Sequence, residues 1–322
     1  MALHHKPYTG LPDLRRMQSL VAESTQKIGG LGYLHVGDIP HRIYNVLRRF
    51  PEREQYVHLW ETDAGQLVGW SLIYPQWNAF DTQIHADYKG TDAERAILSW
   101  TVDEITRLAR SKYAQADPAD STDDSENDVT PPTISTDVHV GDTPRMELLT
   151  ELGFTDRKPF IDLTTRPLDT IPAAVLPDGY TIRHSAGMPD AARLVAVHSG
   201  AFGSQWTVEL YEMVLHSPGF VAENEWVVVA PSGEFAAFTI IWFDTLNKIG
   251  LFEPVGTHEN YHRQGLGRAL MVHAMGVMKE NGMTTAMVGH HAADERSTAF
   301  YHSLGFRDVY HIRDYAKPLE LA

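Results

Sequence analysis

Two periodicities organise the apolar and polar positions of this chain. Residues 11–25 place Leu14, Met17, Leu20 and Val21 on one face, and residues 91–112 do the same with Ile97, Leu98, Ile105 and Leu108, so both segments are predicted helices. Gly29-Gly30-Leu31-Gly32 closes the first, and residues 33–36 read as a short strand. Residues 41–50 are basic and amphipathic and fit either a helix or a strand. Alternating or apolar runs at 56–61, 66–74 and 79–85 predict strands, the first two joined by a turn at Asp63-Ala64-Gly65. In the second half, strands are expected at 180–183, 226–230, 234–243, 248–257 and 284–290, with the last strands within 306–317. Helices are expected at 189–201, 207–216 and 294–303, and from Ala269 onward, where Leu270, Met271, Ala274, Val277 and Met278 share a face.

The pattern repeats. His85-Ala86-Asp87-Tyr88 aligns with His258-Glu259-Asn260-Tyr261, and Asp63-Ala64-Gly65 with Pro231-Ser232-Gly233. Leu148-Leu149-Thr150-Glu151-Leu152-Gly153-Phe154 aligns with Phe300-Tyr301-His302-Ser303-Leu304-Gly305-Phe306, so the chain is two copies of one unit. A shorter offset for the last pair locates extra sequence in the first copy. That insertion, near 114–132, is rich in Asp and Ser, lacks an apolar period, and is expected to be a mobile acidic surface loop. Prolines at 167, 172 and 177 mark a linker over 164–179. The expected division is a first domain over 1–165, a linker at 166–178 and a second domain over 179–322.

Composition narrows the function classes. With 43% apolar residues the chain of 322 residues can bury ordinary cores for about two domains. It has no cysteine, which removes disulfides, thiolate nucleophiles and Cys-based zinc sites. A formal charge of −15, from 42 acidic and 27 basic residues, argues against nucleic acid as a partner and favours cationic or neutral ligands. No run is apolar enough to span a membrane and the first ten residues lack a signal-peptide core, so no membrane partner and a cytoplasmic location are expected.

The chemistry concentrates where the strand ending at Thr257 meets a basic glycine loop and the next helix. Free N–H groups and the positive dipole end at a helix start suit an anion, and Gly265 and Gly267 let it approach without a Cβ in the way; Arg263 and Arg268 add charge. The loop His262-Arg263-Gln264-Gly265-Leu266-Gly267 resembles the acyl-CoA loop of the GNAT (GCN5-related N-acetyltransferase) superfamily, Arg/Gln-x-x-Gly-x-Gly/Ala. The stretch Asp294-Glu295-Arg296-Ser297-Thr298-Ala299-Phe300-Tyr301-His302-Ser303-Leu304-Gly305-Phe306 resembles that family's Asn-x-x-Ala-x-x-x-Tyr-x-x-x-Gly-Phe. His262, Asp294 and Ser297 depart from the usual residues. The resemblance implies an α/β (α+β) fold of two tandem GNAT-like domains, each a mixed, mostly antiparallel sheet flanked by helices.

It also implies an N-acetyltransferase using acetyl-CoA as co-substrate, with no metal, and a primary amine as acceptor attacking directly in a ternary complex. The co-substrate would lie against Val255, Gly256, Thr257, His262, Arg263, Gln264, Gly265, Leu266, Gly267, Arg268 and Asp294. Backbone N–H groups of 255–257, where the strand is expected to bend at Gly256, would bind the carbonyl oxygen. Glu253 would take the amine proton, and Tyr301 would protonate the departing thiolate. Trp206, Tyr211, Phe220, Trp242 and Asp244 are expected to line the acceptor side. In the first copy Asp92 and Glu94 align with Gly265 and Gly267, and Leu149 with Tyr301. That copy is therefore read as structural, or as a wall of the cleft. Two rivals stand beside this reading: a zinc hydrolase using His258-Glu259-x-x-His262, with His290-His291 as a source of a third ligand, and an acyl-CoA-binding protein without turnover. The acceptor is expected to be a small cationic amine.

Overall fold

The structure, a computed structural model, describes residues 2–115 and 132–320. The acidic insertion expected near 114–132 lies outside the described residues, apart from its ends. In chain order the first half comprises β1 (His4–Pro7), α1 (Leu11–Ile28) and α2 (Asp38–Pro40), a single turn that runs into a π-helix (His41–Val46). Next come β2 (Val57–Glu61), β3 (Leu67–Tyr74), β4 (Ala79–Ile84), α3 (Asp92–Gln115), β5 (Thr133–His139), α4 (Thr143–Glu151) and β6 (Thr155–Pro167). The second half comprises β7 (Thr181–His184), α5 (Ala191–Phe202), α6 (Val208–Leu215), β8 (Glu225–Val229), β9 (Phe235–Asp244) and β10 (Ile249–Thr257). It ends with α7 (Leu266–Glu280), β11 (Thr285–His291), α8 (Glu295–Ser303) and β12 (Arg307–Pro318).

The repeat read in the sequence is a repeat of structure. His85 and His258 each accept, on their imidazole, the N–H two residues on, and each starts a short 3-10 turn with nearly the same backbone angles (φ −55° and −56°). Each copy ends its last helix at a glycine with positive φ, Gly153 at 87° and Gly305 at 89°, followed by a buried phenylalanine. The helices cover the sheet with separate apolar clusters. In the first half α1 and the π-helix pack on β2–β3, and α3 and α4 pack on β4–β5. In the second half α7 and α8 pack on β10 and β11.

The halves share one sheet of 12 strands in the order β1-β2-β3-β4-β5-β12-β6-β11-β10-β9-β8-β7. Each copy's final strand is exchanged: β12 pairs with β5 of the first half, and β6 pairs with β11 of the second. The two exchanged strands pair with each other from Arg307↔Thr165 to Ala316↔Thr155. Residues 164–167, expected in the linker, therefore belong to β6. Their backbone groups find partners on β11, and Thr164, buried, donates its hydroxyl to the carbonyl of Val288. Two further expectations change. Residues 33–36 form no strand, because side chains claim their backbone: Gln83 accepts from Leu34 N–H, Asp38 from His35 N–H and His35 from Gly37 N–H. The ambiguous segment 41–50 is helical at its start.

The first half also docks on the second outside the sheet. A Cβ at Gly37 would lie 2.3 Å from Trp242, so only glycine permits this close approach. His35 Nε2 lies 3.1 Å from the carbonyl of Ile249, Asn247 donates to the carbonyl of Ala22, and the Arg48 guanidinium sits 3.9 Å over Trp206.

Because strand exchange leaves either half with an open sheet edge when separated, residues 1–178 expressed alone should not give a folded monomer. Size-exclusion chromatography and circular dichroism should show aggregate or a self-exchanged dimer. A monodisperse, cooperatively melting monomer would contradict the dependence.

Candidate active site

In both copies two parallel strands begin paired and then part. β4 and β5 are paired at Phe80↔Thr136, and β10 and β11 are paired up to Phe252↔Val288. Beyond the last pair the next residues are Asp81 in one copy and Glu253 in the other, so the same position carries a carboxylate twice. In the second copy β10 carries a bulge between Phe252 and Val255. The carbonyls it frees are satisfied by side chains: Trp242 Nε1 donates to Glu253 O at 2.8 Å and Thr239 Oγ1 to Pro254 O at 3.0 Å.

The bend is thus at Glu253–Pro254 and not at Gly256. His258 N–H donates to Ala236 O, so by the alternation of an antiparallel ladder Gly256, opposite Phe238, also points its N–H at β9. Val255 and Thr257 point theirs at the other edge, from which β11 has departed. Gly256 is consequently not a donor for a carbonyl oxygen. It is glycine for packing, since a Cβ there would meet Phe238 at 2.5 Å and Ala201 at 2.8 Å.

The glycine loop presents an anion cradle. Helix α7 begins at Leu266, earlier than the sequence pattern indicated, so Gly267 and Arg268 lie in its first turn. Its N-cap is Gly265, with φ 78° and no side-chain cap. Among the described residues, the backbone N–H groups of residues 263–268 find no acceptor. Arg263, itself at φ 62°, is exposed and unpaired among the described residues. The other expected contacts are differently employed. His262 Nε2 faces the carbonyl of Thr257 at 2.9 Å, Gln264 accepts from Tyr180 Oη at 2.9 Å, and Arg268 donates to Ser303. Asp294 caps α8, accepting from the N–H of Arg296 and Ser297 and from the Ser297 hydroxyl, which holds its pKa down. That carboxylate is committed to its own helix.

The first copy closes the same cradle from within. Glu94, fully buried at the position of Gly267, accepts from Gly90 N–H at 2.5 Å and from Arg145 Nε at 2.6 Å. A carboxylate of the protein thus already fills the place that an anion would take. Leu149, at the position of Tyr301, is buried in the core.

Between the halves lies a cavity of about 540 Å³, which shares the walls Asp38, Arg42, Asp81, Asp137, Ile161 and Glu253 with a smaller one of about 140 Å³. The first half supplies Asp38, His41, Arg42, Tyr74, Trp77, Asp81 and Asp137; β6, β10, β11 and β12 add Lys158, Glu253, His291 and Asp314. Asp81 is neutralised by Arg42 at 2.5 Å and accepts a hydrogen bond from the Tyr74 hydroxyl. Glu253 has no such partner. Burial, then the carboxylate of Asp38, pushes it up to about 8, against the opposing pull of Arg42. Asp137 rises to about 7 through burial, Asp81 and Asp314. Tyr301 is buried, stacks on His290 at 5.4 Å, and has no hydrogen-bond partner among the described residues. Burial, with Glu253 and Asp294 nearby, raises its pKa, so it keeps its proton.

The residues expected on the acceptor side do not line this cavity. Tyr211 is fully buried against Glu225 and His198, Trp206 packs under Arg48, and Phe220 packs on the cluster of Trp242. Trp242 holds the bulge, and Asp244 caps the following turn through Leu246 and Asn247. The cavity is lined by residues of both halves, and only three-dimensional packing brings them together. Nor do His258 and His262 share a helical face: Glu259–Tyr261 is a 3-10 turn, His258 caps it and His262 turns back to Thr257. No helix of the described residues is long and apolar enough to cross a membrane.

Comparison with known proteins bears on the family and the fold. Residues 191–306 match the profile of the Acetyltransferase (GNAT) family. A segment of 84 residues is 34% identical to the [ribosomal protein bS18]-alanine N-acetyltransferase of Escherichia coli K12, covering 26% of this chain and 55%, about half, of that relative. A GCN5-related N-acetyltransferase from Sphaerobacter thermophilus shares the fold over 99% of this chain and 96% of its own, with a TM-score of 0.64 at 16% identity. A tandem GNAT protein from the clavulanic acid biosynthesis pathway does so over 100% of both chains, with a TM-score of 0.63 at 14% identity.

Gly267→Glu, which installs the residue of the first copy, should abolish CoA binding while leaving the melting temperature nearly unchanged. The new Cβ would lie 3.0 Å from Thr257 Oγ1, and the carboxylate would meet the pyrophosphate. Titration calorimetry checks this, with one site per chain expected in the unmodified protein; unchanged affinity or two sites would remove the assignment.

Proposed function

The second half of this chain is a domain of the acetyltransferase (GNAT) family in a tandem GNAT protein, and from that premise we infer that the protein transfers an acetyl group from acetyl-CoA to a small cationic primary amine. The observation that carries the reading is the presence, at the end of β10 and the start of α7, of a proton-hungry carboxylate that faces a cavity without a cationic partner among the described residues and of an unclaimed row of backbone N–H groups.

The amides of residues 263–268 and Arg263 suit a pyrophosphate, which needs donors and positive charge without intervening side chains. Acetyl-CoA held there supplies the thioester carbon. The Val255 and Thr257 N–H groups, on the edge left by β11, are oriented to receive the carbonyl oxygen. Glu253 accepts a proton from the acceptor ammonium, leaving the neutral amine to form the C–N bond. As the C–S bond breaks, Tyr301 gives its proton to the thiolate. A phenol of ordinary pKa about 10 is a weaker acid than a thiol of about 8.5, so it transfers a proton only to a sulfur that is already developing charge.

The acceptor side follows from the lining. Asp38, Asp81, Asp137, Asp314 and Glu253 face Arg42 and Lys158, and Arg42 is already committed to Asp81. As Asp137 and Glu253 ionise, near 7 and 8, such walls concentrate cations, and Tyr74 and Trp77 supply apolar surface to one side. The Escherichia coli relative, by its name, acts on the alanine of a ribosomal protein, so a peptide with an N-terminal alanine is the natural competitor in any substrate test.

Glu253 must be ionised to act, so kcat/KM should rise with pH and level off above about 8, the value to which its carboxyl is raised. Glu253→Gln should remove that limb and most of the activity. The same group links to stability: folded Glu253 keeps its proton up to about pH 8 whereas the ordinary value is 4.5, so stability should fall as pH rises between them. Melting curves of Glu253→Gln should be flatter across that window. Tyr301→Phe should lower kcat by about 100-fold or less with little change in CoA affinity. No effect on kcat with a poor leaving thiol would make Tyr301 a packing residue.

A panel of amines assayed at two ionic strengths tests the acceptor. Small cationic amines should have the highest kcat/KM and should lose it as salt screens the cleft. An anionic amine, or the alanine peptide, outperforming them all would overturn the small-cation proposal.

A further inference from the structure

Beside the Glu253 carboxylate stands an imidazole from the other copy. His41 lies at the start of the π-helix, with Nε2 3.4 Å from Glu253 Oε1 and its side chain 12% exposed. Among the described residues neither nitrogen of its ring has a hydrogen-bond partner, although the ring is nearly enclosed. The docking of the first half holds it there, since Gly37 on Trp242 and His35 on Ile249 fix the segment that leads into the π-helix. π-helical turns recur at functional sites, and here the consecutive residues His41 and Arg42 both line the cleft. Arg42 is claimed by Asp81. His41 remains for Glu253.

We propose that His41 is a positioning residue for the transfer reaction, a neutral imidazole supplied by the first copy that holds the Glu253 carboxylate in line with the acceptor amine. The proposal rests on the acyl-transfer reading above and gives the first copy a part in catalysis. Its chemistry follows from charge. Burial, with Arg42, His198 and Arg48 close by, brings His41 down to about 3, so it is neutral throughout the working range. A neutral ring offers an Nε2–H to the ionised carboxylate and fixes its direction. Lysine or arginine at this place would fix it too, but their full charge would strip Glu253 of the proton affinity that a base for an ammonium needs. The other groups around Glu253 do not replace this contact. Asp38 repels it, Arg42 is paired, and Asp81, Asp137, Asp314, Lys158 and His291 line the cavity from β4, β5, β12, β6 and β11. Tyr301, on α8, interacts with Glu253 as a second acid.

The test follows the Glu253 carboxyl by carbon NMR of glutamate-labelled full-length protein, its signal assigned by loss in Glu253→Gln. The unmodified protein, His41→Ala and His41→Gln are titrated, and their kcat/KM–pH profiles are measured beside CoA affinity by calorimetry. In His41→Ala the Glu253 midpoint should move up by about 0.5–1 unit, because the ionised form loses a donor. The rising limb of kcat/KM should move with it and its plateau fall by about 10-fold, with CoA affinity unchanged. His41→Gln, which keeps an N–H donor, should recover most of both. An unmoved midpoint and profile in His41→Ala would overturn the proposal, as would a glutamine variant as defective as alanine. If the alanine variant does not fold, the glutamine and unmodified proteins decide: a glutamine variant with a displaced midpoint overturns it. Absence of turnover by the unmodified protein would defeat the transfer reading, while the NMR midpoints would still decide whether His41 acts on Glu253.

Discussion

The contact on which the rest depends is the seating of Gly37 against Trp242. The indole does two jobs at once: one face receives the first half, where any Cβ would be 2.3 Å away, and its Nε1–H holds the carbonyl of Glu253 at the bulge. Burial of so large an aromatic surface is among the larger single contributions a residue makes. Here it also sets where the two walls of the cleft stand. Displacing residues 35–42 would take Asp38, His41 and Arg42 away together and return Glu253 to water, where a carboxyl has no reason to keep its proton near neutrality. The unusual proton affinity of this carboxylate is therefore a property of the interface between the copies rather than of β10.

Two copies with one fold reach opposite electrostatic states through a few countercharges. At the strand parting, Asp81 is matched by Arg42 and Tyr74, whereas Glu253 faces Asp38 and a neutral imidazole. At the helix start, Glu94 and Arg145 occupy the cradle of the first copy, whereas residues 263–268 of the second keep their N–H groups unclaimed. A buried carboxylate with two good donors costs little to keep and strongly opposes a second anion. The first copy is thus closed by satisfaction of its polar groups, and the second stays open because its groups are left unsatisfied by the protein. Unpaired polar groups are where a fold under pressure to be stable concedes something to chemistry.

How much of this was legible follows from the range of each interaction. Most helices, most strands and the glycine loop depend on neighbours within a few residues, so periodicity located them, while α4 went unassigned. The repeat was visible because capping imidazoles and Gly-Phe stops recur as short strings. The exchanged strands were hidden, since β6 and β12 have the same composition whichever copy they complete, and β6 ran into a proline-bearing stretch that reads as a linker. Gly256 misled because a glycine in a strand signals a bend as readily as close packing, and only the contact with Phe238 and Ala201 separates the two. The aromatic set at 206–242 was assigned to the acceptor by its place in the second copy, yet hydroxyl and indole groups there serve buried networks and the bulge. No local signal marked His41 and Asp137 as cleft residues; the sole hint was that pockets form between packed domains.

The charge distribution reconciles two ligands of opposite sign. A chain of formal charge −15 repels a polyanion at long range, so a pyrophosphate can be held only by groups in contact with it. Backbone N–H groups meet that need well: they add partial positive charge at hydrogen-bond distance and contribute nothing to the net field that a cation experiences in the neighbouring cavity. A cluster of lysines would have served the anion and spoiled the cleft for the amine. With Asp81 matched by Arg42, and with Asp137 and Glu253 giving up their protons only near 7 and 8, the cleft grows more acidic as pH rises through neutrality, and Glu253 is the raised carboxyl that stands at the parting of β10 and β11. In the proposed reaction, placing the anion on amides and the cation on carboxylates lets both approach the end of β10, where Glu253, raised and faced by the neutral His41, can take the proton that separates an ammonium from a nucleophile.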